Sequence, residues 1–398
     1  MPRQIIQQRS RGFICINAHP EGCARNVQHQ IDTIVQARPA GADGPKNVLV
    51  IGSSTGYGLA TRIAAAWGFG AKTLGVFFER PPDGKRTASA GYYNTAALHR
   101  LARKAGLWAE GINVDAFSNE GKQQTIDLIR HGMGKVDLVV YSLASPRRAH
   151  PHTGETFNSA LKTIGEPFTG KTVDLSAGEV KEITIETATE KEISDTIAVM
   201  GGEDWKLWIE LLLSGGLLSD GARTVAYSYV GPELTWPIYR HGTIGIAKKD
   251  LEETAHSLDA RLAAAIGGNA WVSVNKAVVT QASAAIPVVS LYISLLFRVM
   301  KQRGTHEGCI EQISRLCFDY LAAGKNVATD DKRLIRLDDR EMQEDVQSEV
   351  ADLWNRVTTE NLLEISDFAA FRKEFSNLFG FQVDGADYEA LIETDVML

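Results

Sequence analysis

The sequence predicts an α/β fold built on a doubly wound parallel sheet, and three observations lead to this prediction. Short runs of apolar and β-branched residues recur from residue 46 onward, longer helical stretches separate them, and a glycine-rich turn follows the first run. Continuous apolar strands that alternate with helices are typical of a parallel sheet covered on both faces. We therefore expect one domain over residues 1–398, with a dinucleotide-binding and catalytic core at residues 46–285.

The predicted elements alternate regularly at first. The strands NVLVIG, KTLGVFFE, WAEGINVDAF and KVDLVVYSLAS are separated by helices near residues 59–67, 96–105 and 123–131. Residues 166–189 break this pattern, because their alternation around Gly and Asp predicts a β-hairpin insertion. After it we expect the helix DWKLWIELLL and the strands RTVAYSYVG and AWVSVNKAVVT. The helices EMQEDVQSEVADLWNRVT and FAAFRKEFSNLFG belong to a helical C-terminal extension, residues 305–398, that we expect to pack on the core.

Composition narrows the classes of function. The formal net charge is −7 without a long Lys/Arg run, which argues against binding to nucleic acid or to a membrane surface. The 4 cysteines are too few for a disulfide scaffold of this length, and no signal peptide is visible, so we expect a cytoplasmic protein. The stretch Ala277 to Phe297 lacks charge but contains several polar residues and Pro287. We therefore expect a buried loop and helix there rather than a membrane span.

The first chemical signal is the glycine-rich turn from Gly52 to Gly58, which directly follows NVLVI and opens a helix. Glycines at such a turn let a diphosphate approach the backbone, and the helix N-terminus supplies free N–H groups. The spacing G-x-x-x-G-x-G indicates the short-chain dehydrogenase/reductase branch of the Rossmann fold, and a P-loop is excluded because no Gly-Lys-Ser/Thr follows. The predicted cofactor-binding residues here are Gly52, Ser53, Ser54, Thr55, Gly56 and Tyr57.

Further cofactor contacts are predicted at strand ends, where ligands bind in open α/β sheets. Glu79 lies 21 residues after Gly58, the distance typical of a carboxylate that holds the adenosine ribose. This carboxylate would repel a 2′-phosphate and favour NADH over NADPH, although Arg80 could soften that choice and Glu79 could simply be a solvated strand-end acid. The other predicted contacts at strand ends are Phe78, Asp115, Ala116, Leu143 and Ala144.

Tyr239 and Lys248 are the predicted catalytic residues, nine positions apart. At about 100° per residue they would face opposite sides of a continuous helix. They can converge only if Tyr239 precedes the helix, a break that Gly242 and Gly245 allow. A phenol can protonate a developing oxyanion, while a nearby ammonium lowers its pKa and holds ribose hydroxyls. Tyr229 is a second phenol, which could face the substrate or pack in the core.

We assign no function to two other patterns in the sequence. His19, Cys23, His306 and Cys309 could be drawn as a zinc site, but nothing in the sequence brings the two pairs together, so we expect no metal. The charge-rich stretch DDKRLIRLDDREMQED is predicted to be a solvated surface.

Eight segments resemble one known family. They are ICINAHPEGC, PKNVLVIGSSTGYGLATR, DLVVYSLASP, FTGKTVD, VMGGEDW, the Tyr-x8-Lys element, VSVNKAVVTQASAAIP and HEGCIEQ. In these the chain resembles the FabV-type trans-2-enoyl-ACP reductases and the related trans-2-enoyl-CoA reductases. The segments run from near the N-terminus to beyond residue 310, so the resemblance covers most of the chain.

The resemblance implies a Rossmann core with extra N-terminal, hairpin and C-terminal elements, and NADH as cofactor. It implies reduction of the C2=C3 bond of an enoyl thioester in fatty-acid synthesis, with hydride addition at C3, Tyr239 as proton donor and Lys248 orienting tyrosine and cofactor. It also implies that Tyr229 contacts the substrate, that Val278, Val279 and Thr280 line the nicotinamide site, and that residues 284–297 border the acyl chain. We expect a monomer whose partner is acyl carrier protein or CoA.

Two alternative functions remain open at this point. Tyr and Lys also serve carbonyl reductases and alcohol dehydrogenases of the same fold, although the long uncharged segment favours an acyl chain. A non-catalytic NAD(H)-binding sensor would keep the fold without the chemistry. The presence of both Tyr239 and Lys248 argues against that sensor.

Overall fold

A computed structural model describes residues 3–12, 14–84, 86–143 and 145–398. The N-terminal part contains three very short strands and one long helix: β1 (Arg3–Gln4), β2 (Ser10–Arg11), β3 (Ile14–Cys15) and α1 (Pro20–Ala37). His19 caps this helix, because its Nδ1 accepts a hydrogen bond from the Gly22 N–H at 3.1 Å. The buried side chains of α1 recur every three or four residues, so one face of the helix packs on the core: Cys23, Val27, Ile31 and Ile34.

The first half of the sheet follows the predicted alternation. Its elements are β4 (Asn47–Ile51), α2 (Gly56–Ile63), β5 (Lys72–Phe77), α3 (Ala90–Lys104), β6 (Ala109–Asn113), α4 (Asn119–Leu128) and β7 (Val136–Tyr141). The helices α2 and α4 each continue into a π-helical turn, at Ala64–Gly68 and Ile129–Met133. The predicted strands are thus confirmed, and α3 begins six residues earlier than the pattern indicated.

An insertion follows β7 on the way to the next core strand. It contains β8 (Arg147–Ala149), β9 (Thr156–Asn158), β10 (Phe168–Asp174), β11 (Glu179–Ile185), α5 (Glu190–Met200) and α6 (Glu203–Ser214). The strands β10 and β11 pair antiparallel, which confirms the predicted hairpin, and β8 pairs with β9 in a second, smaller hairpin that the sequence pattern did not predict.

The rest of the chain completes the sheet and covers one end of it. The elements are β12 (Leu218–Ser228), α7 (Thr243–Ile266), β13 (Asn269–Val274), α8 (Gln281–Ala284), α9 (Val289–Gln302), α10 (Cys309–Arg315), β14 (Ile335–Arg336), α11 (Glu344–Arg356), α12 (Leu362–Ile365), α13 (Phe368–Asn377) and β15 (Ile392–Glu393). The last of these pairs antiparallel with β1.

The central sheet has the strand order β14-β13-β12-β7-β4-β5-β6, and all neighbouring strands in it are parallel. The order reverses between β4 and β7, which confirms the doubly wound Rossmann-type fold. Ligands bind to such sheets in the crevice outside the strand ends at this reversal. The edge strand β14 comes from the C-terminal extension, so that extension is not only helical: it also contributes to the core sheet.

Three apolar clusters hold these layers together. One lies between the sheet and α1 and α2, a second between the sheet and α6 and α7, and a third surrounds α9. Every residue of α9 from Val289 to Phe297 is buried, which confirms the predicted buried helix in the uncharged stretch. Among the described residues, no helix is long and apolar enough to cross a membrane.

The hairpin of β10 and β11 is tied to the C-terminal helices. Lys171 Nζ donates hydrogen bonds to the carbonyl oxygens at the end of α11, those of Trp354, Asn355 and Val357, at 2.9, 3.1 and 3.1 Å. The Val180 N–H donates to Thr359 Oγ1 at 3.0 Å. These contacts fasten the insertion to a segment about 180 residues later in the chain.

Candidate active site

The glycine-rich turn between β4 and α2 is wound so tightly that two of its positions require glycine. Gly52 has φ +81°, and a Cβ added to Gly58 would lie 1.9 Å from the Gly52 carbonyl oxygen. The N–H groups of Gly52 and Ser53 donate to the Val76 carbonyl oxygen at 2.9 and 3.1 Å, which fixes the turn against β5. Thr55 precedes the helix without capping it through its side chain. The turn therefore leaves the N-terminus of α2 open toward the crevice, a geometry that fits a dinucleotide diphosphate.

Glu79 lies beside this turn, as predicted. Its Oε1 accepts a hydrogen bond from Ser54 Oγ at 2.6 Å. Its backbone is held by the Asn113 side chain, which accepts from the Glu79 N–H at 2.7 Å and donates to the Glu79 carbonyl oxygen at 2.8 Å. The neighbouring Phe78 side chain is 77% exposed, so its ring is free to stack on a ligand. Among the described residues, the second carboxylate oxygen of Glu79 has no hydrogen-bond partner.

Three other residues predicted at strand ends lie in the described part of the chain: Asp115, Ala116 and Leu143. Asp115 Oδ1 accepts from the Phe117 N–H at 2.9 Å, and the Ala116 carbonyl oxygen accepts from Lys122 Nζ at 2.9 Å. Leu143 approaches the glycine-rich turn so closely that its Cα would lie 2.8 Å from a Cβ on Gly52. Ala144 lies outside the described residues. The cofactor contacts assigned to these four positions stay predictions.

The segment Val278–Val279–Thr280 comes next to the glycine-rich turn, although the two are more than 200 residues apart. A Cβ on Gly56 would lie 3.7 Å from Thr280 Cγ2. Thr280 Oγ1 accepts from the Ser283 N–H at 3.0 Å and so caps α8. The Tyr57 hydroxyl donates to the Lys276 carbonyl oxygen at 2.9 Å, so this tyrosine braces the segment after β13. The sequence did not indicate that role for Tyr57.

Tyr239 precedes the helix that carries Lys248, as the spacing requires. The helix α7 begins at Thr243 after the N-cap Gly242. A Cβ on Gly245 would lie 2.0 Å from the Arg240 carbonyl oxygen, so only glycine lets the Tyr239 turn fold back onto the first helical turn. Tyr239 and Lys248 then line one cavity of about 390 Å³ together with Tyr229. The rings of the two tyrosines meet edge to face, with their centroids 4.9 Å apart.

Burial shifts the pKa of both predicted catalytic groups. It raises the pKa of the Tyr239 phenol, because an apolar environment disfavours the phenolate. It lowers the pKa of the Lys248 ammonium to about 8, and the charge of Glu252 opposes this shift. Lys248 Nζ donates to the Tyr227 carbonyl oxygen at 3.4 Å. The expected lowering of the tyrosine pKa by the ammonium is therefore wrong for this structure, because burial is the cause of the Tyr239 shift and acts in the opposite direction.

A buried carboxylate, that of Glu341, lies behind Tyr229, and the sequence did not predict it as part of the site. Glu341 is fully buried, and its Oε1 accepts from the Tyr229 hydroxyl at 3.1 Å. It lies in the charge-rich stretch 330–345, for which a solvated surface was predicted. That prediction is wrong for Glu341 and for Asp338, because both side chains are buried among partners: tyrosine hydroxyls and a backbone N–H for Glu341, and Arg336 for Asp338. The short apolar run Leu334–Ile335, which enters β14, was the available signal.

The histidines and cysteines considered for zinc have other surroundings. His19 caps α1, and His306 packs edge to face on Phe297 with ring centroids 4.4 Å apart. Within the described ranges, no group of three or more His, Cys, Asp or Glu side chains is placed to hold a metal ion.

Comparison with family models matches nearly the whole chain. The model described as the trans-2-enoyl-CoA reductase catalytic region matches residues 86–321. The NAD(P)H binding domain of trans-2-enoyl-CoA reductase matches residues 5–84. A third model, the enoyl reductase FAD binding domain, matches residues 329–392.

Individual relatives are similar over nearly their full length. The enoyl-[acyl-carrier-protein] reductase [NADH] of Coxiella burnetii is 58% identical over 392 residues, 98% of this chain and 96% of the relative. The trans-2-enoyl-CoA reductase [NADH] of Ruminiclostridium cellulolyticum is 54% identical over 392 residues, 98% of each chain. The crystal structure of Treponema denticola trans-2-enoyl-CoA reductase in complex with NAD has 47% identity and a TM-score of 0.95, and it covers 99% of this chain and all of the other.

The segment matched by the flavin-domain model does not fit a flavin dinucleotide in this structure. Residues 325–379 contain no glycine, and β14 is followed by Leu337, Asp338 and Asp339 rather than by a glycine-rich turn. Carboxylates at that strand end would repel a diphosphate, and a diphosphate site needs free N–H groups close to the backbone. The aromatic side chains of α13 point into the core: Phe368, Phe371 and Phe375.

Proposed function

Because this chain belongs to the trans-2-enoyl-CoA reductase family, we propose that it reduces the C2=C3 bond of trans-2-enoyl thioesters with NADH, and that Tyr239 donates the proton. One observation carries the assignment of the site: Tyr239, Tyr229 and Lys248 line the same cavity. The product is the saturated acyl thioester that fatty-acid synthesis requires.

The residues around the crevice fit NADH. The glycine-rich turn Gly52–Gly58 would hold the diphosphate at the N-terminus of α2, and Glu79 would accept hydrogen bonds from the adenosine ribose. Lys248, which holds a proton below about pH 8, would hold the nicotinamide ribose. Phe78, Asp115, Ala116, Leu143 and Ala144 would surround the adenosine and the nicotinamide ribose, and residues 278–280 would line the nicotinamide.

The chain's own contribution to the reaction is protonation and electrostatic stabilisation. When bound, NADH supplies the hydride that adds to C3 of the substrate. The electron pair of the double bond then moves toward the thioester oxygen, where negative charge develops. Tyr239, whose pKa is raised by burial, keeps its proton and donates it to that charge. Lys248 lines the same cavity, and its positive charge stabilises the negative charge that develops on the thioester oxygen.

The acyl group would lie against the apolar segment 284–297, which runs from the last residue of α8 into α9. The thioester would be carried by acyl carrier protein or CoA, since both carriers occur in the names of relatives. We also propose that the protein acts as a monomer in the cytoplasm.

The test of the reaction is NADH oxidation at 340 nm with crotonyl-CoA, run beside the ketone acetoacetyl-CoA. We expect consumption with crotonyl-CoA alone. Oxidation with the ketone alone would assign the chain to the carbonyl reductases. If neither substrate leads to NADH oxidation although NADH binds measurably, the chain would be a non-catalytic NAD(H)-binding sensor.

The proton-donor role is tested by Tyr239→Phe. We expect kcat to fall by about 100-fold or more, the range typical of general acid catalysis, while the Kd for NADH stays within about twofold. Wild-type turnover in this variant would remove Tyr239 from the mechanism. Trp236→Phe, a change of an aromatic side chain in the preceding turn, is the control for effects on folding.

A further inference from the structure

Two phenols, those of Tyr229 and Tyr239, face the cavity, and either could in principle protonate the developing anion. They differ in where their hydroxyl groups are bound. The Tyr229 hydroxyl donates to Glu341 Oε1 at 3.1 Å. Among the described residues, the Tyr239 hydroxyl has no hydrogen-bond partner. The proton of Tyr229 is thus already committed, whereas the proton of Tyr239 is free.

Glu341 is built into the structure as an acceptor. Its Oε1 also accepts from the Tyr292 hydroxyl at 2.6 Å, and its Oε2 accepts from the Ala277 N–H at 2.7 Å. Gln347 Nε2 donates to the Tyr292 hydroxyl at 3.1 Å, which turns the proton of Tyr292 toward the carboxylate. All three direct contacts therefore present a donor to Glu341, an arrangement that a carboxylate satisfies and an amide does not.

The charge of Glu341 has a neighbour of opposite sign. Lys276 is also buried, and its Nζ donates to the Ala277 carbonyl oxygen at 2.7 Å. Burial raises the pKa of Glu341, and the nearby Lys276 opposes that shift. The carboxylate is therefore held between Tyr229, which lines the cavity, and the segment after β13.

We propose that Glu341 is a positioning residue that decides which of the two tyrosines donates the proton. Glu341 accepts the hydrogen bond that the Tyr229 hydroxyl donates. The Tyr229 oxygen can then only accept hydrogen bonds from groups in the cavity. Among the described residues that line the cavity, Tyr239 is then the one phenol whose proton has no acceptor. This inference rests on the proposed function, in which Tyr229 and Tyr239 contact the substrate, and it assigns a role in the reaction to the C-terminal extension.

A double-mutant cycle tests the proposal, because it asks whether Glu341 acts through Tyr229. In Glu341→Gln the amide oxygen would accept from the Ala277 N–H, and the amide N–H would donate to the phenols and release the Tyr229 proton. We expect kcat with crotonyl-CoA and NADH to fall about tenfold, with the Kd for NADH unchanged. In a Tyr229→Phe background the same substitution is expected to change kcat less than about twofold.

The matched control is Glu307→Gln, another buried carboxylate of the C-terminal extension, whose partners are Arg315 and Arg340. It is expected to lower the melting temperature without affecting kcat. If Glu341→Gln does not fold, Glu341→Asp keeps the charge and withdraws it from Tyr229 by one methylene, and the same cycle applies.

Three results would overturn the proposal: wild-type kcat in Glu341→Gln, an equal loss of kcat with and without the Tyr229 hydroxyl, or an equal loss in Glu307→Gln. Failure of the proposed function is a different outcome. It would appear as wild-type enzyme that reduces acetoacetyl-CoA but not crotonyl-CoA, and the cycle would then be measured on the ketone.

Discussion

Activity is expected to fall above about pH 8, where Lys248 loses its proton. Burial disfavours the charged form and lowers the pKa of this ammonium from 10.5 to about 8. The protonated form is the charged one, so the charge is present below the pKa and lost above it. On a simple titration the charged fraction is roughly nine tenths at pH 7 and roughly one tenth at pH 9. If the ammonium is needed for cofactor orientation and anion stabilisation, kcat/KM should follow that fraction.

The assay is kcat/KM for crotonyl-CoA at saturating NADH, measured from pH 6 to pH 10. We expect a decline that approaches tenfold per pH unit above the pKa, with circular dichroism showing the fold intact. Lys248→Arg is the matched variant, because a guanidinium stays charged over this range. Whatever its activity at neutral pH, this variant should not show the alkaline decline. A constant kcat/KM in the wild-type enzyme up to pH 9.5 would refute the reasoning.

Three further outcomes are expected. Glu79→Ala should narrow the preference for NADH over NADPH by about tenfold or more, since a charge-assisted hydrogen bond to ribose is lost; an unchanged ratio of kcat/KM values would mean that Glu79 does not contact the ribose. Gly58→Ala should raise the Kd for NADH about tenfold or more, because the new Cβ would meet the Gly52 carbonyl oxygen; Gly106→Ala, which is strained at φ +70° but meets no neighbour within 4 Å, should lower stability and leave that Kd unchanged. Lys171→Met should lower the free energy of unfolding in urea by about 1–2 kcal/mol, and an unaltered midpoint would contradict the contacts of Lys171 with α11.

The sheet could be predicted because its strands are buried on both faces. NVLVI and VDLVVY are continuous apolar runs, and each is followed by a clear turn or helix signal. The strand β14 could not be predicted in the same way. It has two residues, and it lies within a charge-rich stretch whose acidic and basic side chains suggested solvent. Pairing with β13 is a long-range contact that local pattern does not encode.

The candidate site was predictable where spacing constrains geometry. The glycines around Gly52 and the nine-residue separation of Tyr239 from Lys248 each permit few arrangements. The burial of Glu341 could not be predicted in this way. A carboxylate in a polar stretch is predicted to be exposed unless its hydrogen-bond partners are known. Those partners are Tyr229, Tyr292 and the Ala277 N–H, which are brought together only by the packing of α9 against the C-terminal helices.

The attachment of the β10–β11 hairpin to α11 has a consequence for local opening. A hairpin alone is marginally stable and would exchange its amide protons quickly. Here Lys171 and Val180 join it to the end of α11, and Thr172 Oγ1 accepts from the Val288 N–H just before α9. We therefore expect the amides of the hairpin, α9 and α11 to become exposed together. Hydrogen exchange in α9 would then report the opening free energy of the hairpin and of α11 as well.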